Sequence, residues 1–508
     1  MRLPLPFRLC PRHVRSTTVT PSTAPNILII LADQLVPFLT SPYGDALART
    51  PALEALADEG VRFDAAYTPS PLCAPARAAL LAGRHASSVG VFDNASIMAS
   101  DVPTIGHYLA LAGYDTVLSG KMHMIGPDQL HGFEHRLTTD VFPAGLDWVP
   151  VPAPDGSFPA GGHARHYALP DPGVRPWTIF QDYDDEAHRQ AVRYVRERGR
   201  TGATDPFAMI VSFHHPHDPF HVPQEYWDRF EGVDFPLPNP RTETTPRSTM
   251  DEWADAAHAT ADYDLADPES ARALRRAYAA AVSYIDDKIA QLVATLRDEG
   301  EFDNTLILVS SDHGDMLTER GMVQKRTFYE WSSRIPLIVR MPHAEWAGTV
   351  VDAPVSLIDI LPTLVDVVGI PAEECAPWDG SSLLPVMAGQ AEPERVVFSE
   401  YHLEKVHAPC FMVRRGSLKY VLVHEHDEQL FDLATDPDEL RDLSDDPRWA
   451  AQREELRALL VAEFDIEGLV ERGRQSLMPR AIVAAAMRAT GQHWDYEPRF
   501  DPSRRYVR

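Results

Sequence analysis

Cysteine is scarce in this chain: Cys10, Cys73, Cys375 and Cys410 are the whole set in 508 residues. They are scattered and form no C-x-x-C pair, so neither a structural zinc site nor a disulfide framework is indicated. So few thiols suit a reducing compartment, and a cytoplasmic location is expected. Lysine is nearly as rare, with only Lys121, Lys288, Lys325, Lys405 and Lys419. Excess basic charge is missing altogether: 47 Lys plus Arg stand against 74 Asp plus Glu, a net charge of −27. An acidic surface of that size argues against a general nucleic-acid binder, which needs a basic footprint. It is compatible with a small cationic ligand. No run approaches ~20 apolar residues, so no membrane span is expected. Near the N-terminus, Pro4, Pro6 and Arg8 break the one apolar patch, which is too weak for a signal h-region. Residues 1–24 are expected to be a disordered leader.

What is present is ordinary globular composition, 44% hydrophobic and 24% charged. The length suits one large α/β domain with an appendage. Residues 26–33, 207–213, 304–311 and 335–340 are apolar runs that read as buried strands, and 115–118 is a shorter one. Between them, 50–59, 74–81, 103–112, 184–200 and 270–299 have helical periodicity and capping signals. Strands alternating with helices predict a mainly parallel α/β sheet over residues 25–376. After about Pro377 the texture changes to short strands at 396–401, 411–415, 418–424 and 429–433, followed by a helix over 448–464. This predicts a C-terminal α+β subdomain over 377–475, a small antiparallel sheet with a packed helix. Residues 476–508 read as an extended tail.

Three of the buried strands end in ionisable groups: Asp33-Gln34, then His214-His215-Pro216-His217-Asp218, then Asp312-His313-Gly314-Asp315. In open α/β sheets, ligands sit beyond the carboxyl ends of the strands. Asp33, Gln34 and Asp312 are oxygen donors and His313 adds a nitrogen, a set that suits Ca²⁺ or Mg²⁺ better than zinc. An Asp at a strand end can equally cap a turn, and for Asp33 alone that reading is as good. Cys73 opens a predicted helix, with Arg77 one turn on. A helix N-terminus plus Arg stabilises an anion and depresses a thiol pKa. Physics alone therefore leaves a reactive thiol or anion site on one side and a buried inert Cys on the other.

The segment Cys73-Ala-Pro-Ala-Arg77, followed by Leu80, Leu81, Gly83 and Arg84, resembles the sulfatase signature. Ala82 stands where that family usually has Ser or Thr. Asp33, Lys121-Met122-His123, His217, Asp312-His313 and Lys325 follow in the family's order, and the resemblance runs from Pro25 onward. It implies the alkaline-phosphatase-like fold: a large mixed sheet flanked by helices, with a smaller C-terminal antiparallel sheet. It implies that Cys73 is oxidised to formylglycine by a separate formylglycine-generating enzyme. It implies a divalent metal, Ca²⁺ first with Mg²⁺ or Mn²⁺ as alternatives, held by Asp33, Gln34, Asp312, His313 and the modified Cys73. Most sulfatases carry two adjacent Asp at the first strand. Asp33-Gln34 is similar instead to the choline-sulfatase and phosphonate-monoester-hydrolase branches. Residues 119–133, Leu137-Thr-Thr-Asp140 and the terminal Trp494-Asp-Tyr-Glu-Pro498 with Asp501 resemble choline sulfatase. In that family the tail reaches a neighbouring subunit, which implies a homo-oligomer, a dimer or tetramer.

The resemblance also assigns roles. Arg77, Lys121 and Asn94 would hold the nucleophile and the sulfate oxygens. His217 and Lys325 would supply the leaving group's proton, and His123 would take one from the second hydroxyl of the hydrated aldehyde. A quaternary ammonium wants aromatic faces and carboxylates; Trp148 is the first candidate, with Glu400, Trp494 and Asp501 behind it. The expected reaction is hydrolysis of choline-O-sulfate to choline and sulfate. The alternatives are a phosphonate or phosphate ester hydrolase or arylsulfatase of the same superfamily, and a non-catalytic binding protein that keeps the fold.

Overall fold

The computed structural model describes residues 24–146 and 172–498, apart from 243, 259, 261–263, 266, 391, 393 and 394. Trp148 and Asp501 lie outside the described residues, as does the expected leader but for Ala24. The largest sheet among the described residues has eight strands. In spatial order they are Thr349–Val351, Val61–Phe63, Leu337–Arg340, Thr305–Ser310, Asn26–Asp33, Phe207–Pro216, Asp115–Gly120 and His135–Arg136. The last five run parallel to one another, whereas Leu337–Arg340 is antiparallel to both its neighbours.

The central strand Asn26–Asp33 is buried along its whole length because both sheet faces are covered. Its alternation divides the core. Ile27, Ile29 and Leu31 pack with Leu80, Leu81, Ile105, Leu361 and Leu364 on one face. Leu28 and Ile30 pack with Ala191, Val195, Tyr278, Ile285 and Leu292 on the other. The helices Cys73–Ala82, Ile105–Leu111 and Ile360–Val368 thus form one outer layer, and Ile179–Thr201 and Pro268–Asp298 the opposite one. The long helix starts where Asp267 accepts a hydrogen bond from Ser270 N–H, with Pro268 in its first turn.

Two expectations are corrected. The run 335–340 is not one strand. Pro336 has no N–H to give a ladder, and the chain breaks there, sending Arg334–Ile335 into a three-stranded sheet with Ala66–Tyr67 and Val355–Ser356. The structure also adds a helix, Thr249–His258, in a stretch for which the sequence predicted no element. The tail is not extended from 476: a helix covers Ile466–Thr490, with Pro479 inside it, and ends at Gly491 in the left-handed region. The C-terminal sheet stands where expected. Val396–Tyr401, Cys410–Arg415, Leu418–Val423 and Glu428–Asp432 are antiparallel in that order. Leu456 and Leu460 of the Ala450–Glu463 helix cover one face.

Candidate active site

Because the central strands are parallel, their carboxyl ends meet at one edge of the sheet, where the polar groups that terminate them converge. Asp33 and Gln34 end one strand, Asp312 and His313 follow its neighbour, His214 to Asp218 close the next, and Lys121 follows Gly120. Gly120 has φ +100°, and a Cβ there would lie 1.9 Å from the Ser212 carbonyl oxygen. Only glycine permits that approach, and the turn it makes brings Lys121 inward. Gln34 is also in the left-handed region, at φ 67°. It is held there by its N–H to Asp312 Oδ1 (3.1 Å) and by the Tyr278 hydroxyl, which donates to its carbonyl (2.6 Å).

Arg77 organises the centre. It projects from the first turn and a half of the Cys73–Ala82 helix and is 1% exposed. Its Nε donates to Asp312 Oδ2 (2.8 Å), one Nη to Asp33 Oδ2 (2.8 Å), and the other to the Lys121 carbonyl (2.7 Å) and Ser212 Oγ (2.8 Å). Lys121 Nζ adds a second cation 2.7 Å from Asp33 Oδ2. Burial penalises the Asp33 carboxylate, but Lys121, His217, Arg77 and His313 outweigh it and hold its pKa well below the usual range.

Cys73 sits at the helix start with its Sγ 3.1 Å from His313 Nε2. Burial and Asp33 oppose its ionisation, yet Lys325, His313 and Lys121 pull the thiol well below its ordinary pKa. The His313 Nδ1 lies 3.1 Å from the Gly314 carbonyl. Donation there fixes the tautomer and turns the Nε2 lone pair toward the cluster. Ligand atoms of Asp33, Cys73, Asp312 and His313 all lie within 4.8 Å of one another. Asp33 Oδ1 is fully buried with no hydrogen-bond partner. A buried, ionised oxygen in that position is what a hard cation would satisfy, so the residues fit a divalent metal.

Beside this cluster, Lys325 Nζ lies 2.7 Å from His217 Nε2 and 2.6 Å from Gln34 Oε1. His217 Nδ1 contacts the Asp218 carbonyl at 2.7 Å, so its Nε2 is left to accept from Lys325. The ring is 14% exposed, and so reaches the open side. Asn94 Oδ1 accepts the Ala74 N–H (3.0 Å), which places the amide at the start of the nucleophile helix. His123 is 6% exposed. Its ring lies 5.3 Å from that of Phe142, over which Lys121 Nζ sits at 4.7 Å.

Nine of the residues singled out in the sequence therefore meet here: Asp33, Gln34, Cys73, Arg77, Lys121, His217, Asp312, His313 and Lys325. Asn94 and His123 flank them. Glu400 does not join them. It is 0% exposed, with Oε1 accepting the Ser87 N–H (2.8 Å) and Oε2 2.8 Å from His402 Nε2, so it is a buried packing carboxylate. Trp494 packs on its own chain, against a cluster that includes Ala95, Ile125 and Leu146.

Other residues do work that the sequence did not reveal. Asp140 Oδ2 accepts the N–H groups of Met122 (2.9 Å) and His123 (2.7 Å) and the Arg136 guanidinium (3.0 Å), and so shapes the Lys121–His123 turn. Asp140 belongs to the Leu137–Asp140 motif, but nothing in the motif says what it binds. Asp315 and Asp218 receive the Gln34 amide, and Gln324 also donates to Asp218. Burial pushes Asp315 up to about 6.

The family described as Sulfatase matches residues 25–370 of this chain, and the C-terminal region of N-sulphoglucosamine sulphohydrolase matches 318–464. A choline-sulfatase of Rhizobium meliloti (strain 1021) is 40% identical over 495 residues, covering 95% of this chain and 96% of its own. The phosphonate monoester hydrolase of Agrobacterium radiobacter superposes with a TM-score of 0.66 at 25% identity, covering 86% of this chain and 95% of its own. The one from Silicibacter pomeroyi gives 0.70 at 24%, covering 87% and 96%.

Proposed function

The chain belongs to the sulfatase family, with its alkaline-phosphatase-like fold, and from that premise we propose that it hydrolyses choline-O-sulfate to choline and sulfate. Family membership makes it a sulfuric ester hydrolase. The observation that carries the finer reading is the Asp33–Cys73–Asp312–His313 cluster braced by Arg77, in a chain so similar to a choline-sulfatase.

Conversion of Cys73 to formylglycine by a separate enzyme is part of the proposal. Cys73, Pro75 and Arg77 supply the signature's core. Hydrated, that aldehyde supplies a geminal diol, with one hydroxyl to attack sulfur and a second through which sulfate is expelled. A divalent metal, Ca²⁺ first with Mg²⁺ or Mn²⁺ as alternatives, would be held by Asp33, Gln34, Asp312, His313 and the modified Cys73, and when bound would lower the pKa of a hydroxyl beside it.

The chain's own residues do the rest. Arg77 keeps the two carboxylates apart and aligned. Lys121 and Asn94 present donors to the nucleophile and to the sulfate oxygens. The Lys325–His217 pair, 2.7 Å apart, holds a proton for the departing alcohol oxygen, which is a poor leaving group without one. His123 accepts the proton of the second hydroxyl. Trp148, with Asp501 and Trp494 of the C-terminal segment, would receive the trimethylammonium group.

Three described cysteines are unpaired, which supports a cytoplasmic location. Among the described residues no helix is long and apolar enough to cross a membrane. Val470, Met478 and Ile482, exposed along the Ile466–Thr490 helix, support a homo-oligomer.

The test is steady-state kinetics on protein matured with the formylglycine-generating enzyme, using choline-O-sulfate, a neutral aryl sulfate and a phosphonate monoester. The choline ester should have the highest kcat/KM. Trp148→Ala should raise KM for the choline ester by roughly 5–30-fold, the loss of about 1–2 kcal/mol of cation–π energy, and change the neutral ester much less. A higher kcat/KM for the phosphonate ester would replace this reading with a phosphonate hydrolase. Equal effects on both sulfates would make Trp148 a packing residue.

A further inference from the structure

None of the roles proposed for the reaction falls to two carboxylates buried beside the site, Asp218 and Asp315, each 1% exposed. Both face the side chain of Gln34, which is itself fully buried. Gln34 Nε2 donates to Asp315 Oδ2 and, at 3.4 Å, to Asp218 Oδ1. At the other end of the same amide, Oε1 accepts from Lys325 Nζ at 2.6 Å. The two ends of an amide have nearly the same shape and opposite polarity. A carboxylate only accepts and an ammonium only donates, so these partners permit one orientation. The reverse would set an oxygen against two carboxylates and N–H groups against a cation, in a place shut off from water. The same polarity accounts for a glutamine after Asp33, since a carboxylate there would meet two others.

The carboxylates are themselves held. Asp315 Oδ1 accepts the N–H groups of Leu317 (2.7 Å) and Gln324 (3.0 Å), which leaves Oδ2 for Gln34. Asp218 accepts from Gln324 Nε2 (3.2 Å and 3.3 Å), while Gln324 Oε1 accepts from Arg326 (3.3 Å). Two glutamines are thus polarised alike, each with its oxygen on a cation and its nitrogen on Asp218. Asp218 also meets His217: its carbonyl oxygen lies 2.7 Å and its Oδ1 3.2 Å from the ring Nδ1. With Nδ1 donating there, Nε2 is turned to accept from Lys325 at 2.7 Å.

We propose that Asp315 and Asp218 are positioning residues for the proton of the leaving group. They hold the Gln34 amide by its nitrogen, Gln34 aims its oxygen at Lys325, and Lys325 is thereby kept on His217. Both carboxylates act through Gln34, and Asp218 through His217 as well. The proposal rests on the Lys325–His217 pair serving as the acid.

The experiment reverses the polarity at one junction and restores it. In Asp315→Asn the side-chain oxygen keeps its two backbone donors, so the new amino group faces Gln34 and turns its amide over, against Lys325. In Gln34→Glu an oxygen faces Asp315 and Asp218. In the double variant Gln34→Glu/Asp315→Asn a donor again meets an acceptor, and Lys325 keeps its oxygen. Thermal unfolding of metal-stripped protein at pH 8 needs no turnover, so it judges the clamp separately from the reaction. Each single variant should unfold below wild type, and the double should recover at least half of the summed loss. Folding of the double where a single variant fails to fold is the same coupling. Additive losses would overturn the clamp. In matured, metal-loaded protein, Asp315→Asn should lower kcat roughly tenfold or more for choline-O-sulfate, whose alkoxide needs a proton. It should change kcat much less for 4-nitrophenyl sulfate, whose phenolate leaves without one. Equal losses on both esters would overturn the positioning role. Equal losses on both in Lys325→Ala as well would place the failure in the acid pair itself.

Discussion

Arg77 shows how much one side chain can fix. Its planar fork reaches two carboxylates, a carbonyl and a hydroxyl at once, a pattern that a lysine ammonium on a flexible stem could not reproduce. Glu400 illustrates the opposite lesson. A carboxylate is what a quaternary ammonium wants, yet Glu400 is buried, with its oxygens held by the Ser87 N–H and by His402. Burial alone would raise its pKa; His402, His85 and the Ser87 N–H outweigh that and bring it down to about 2 from 4.5. A carboxylate with a depressed folded pKa contributes stability that is fully present above the unfolded value, about 4.5, and is lost as pH falls through about 2. Two and a half pKa units correspond to about 3 kcal/mol. Glu400→Gln should therefore be less stable than wild type by about 3 kcal/mol in urea unfolding at pH 7, and the gap should narrow steadily between pH 4.5 and pH 2. A gap independent of pH would mean that shape, not charge, is what Glu400 provides.

The elements that carry the site were the most legible in the sequence. A buried central strand is apolar throughout because both faces are covered, and residues 26–33 and 396–401 end where the sequence said they would. The helix that opens at Cys73 was legible as helical periodicity over 74–81. What could not be read was long-range pairing: Asp140 with the Lys121–His123 turn, and Gln324 with Asp218. These are polar contacts between segments far apart in sequence, with no period to announce them. The Ile466–Thr490 helix was missed for a local reason. Pro479 interrupts the helical signal. The helix also buries Leu469, Leu477, Ala484 and Met487 while exposing Met478 and Ile482, so no single apolar stripe marks it. Beyond that helix, Asp495 Oδ1 accepts the Ala144 N–H (2.8 Å) and the Tyr496 ring lies 6.0 Å from the Arg136 guanidinium. Together with Trp494 on Leu146, these contacts fasten the C-terminal segment to the stretch that leads into Trp148. A truncation after Gly491 should leave the two sheets folded and raise KM for choline-O-sulfate several-fold more than KM for a neutral aryl sulfate. An equal loss on both esters would reduce the segment to general support.

At the scale of the whole molecule, the cluster draws on residues 33, 73, 312 and 313, so no single segment contains a metal site of its own. The strands ending in Asp33 and Ser310 are adjacent only because the central sheet is assembled. The Cys73–Ala82 helix is brought against them through Leu80 and Leu81. A ligand that needs all of these parts binds the native state and not the unfolded chain, and by mass action it stabilises the native state by about 2.7 kcal/mol at a hundred times its Kd. The main unfolding transition should therefore move up by several degrees as Ca²⁺ is added to metal-stripped protein, and stripping should abolish turnover. Asp312→Asn should lose both responses, since it weakens a hard anionic donor while keeping the shape that Arg77 packs against. The shift should appear in the transition of the large sheet domain, which supplies every donor. If Ca²⁺, Mg²⁺ and Mn²⁺ all left that transition in place, or active protein carried stoichiometric zinc and none of these ions, the oxygen-preferring site would be wrong. The unpartnered Asp33 Oδ1 would then need another cation to answer it.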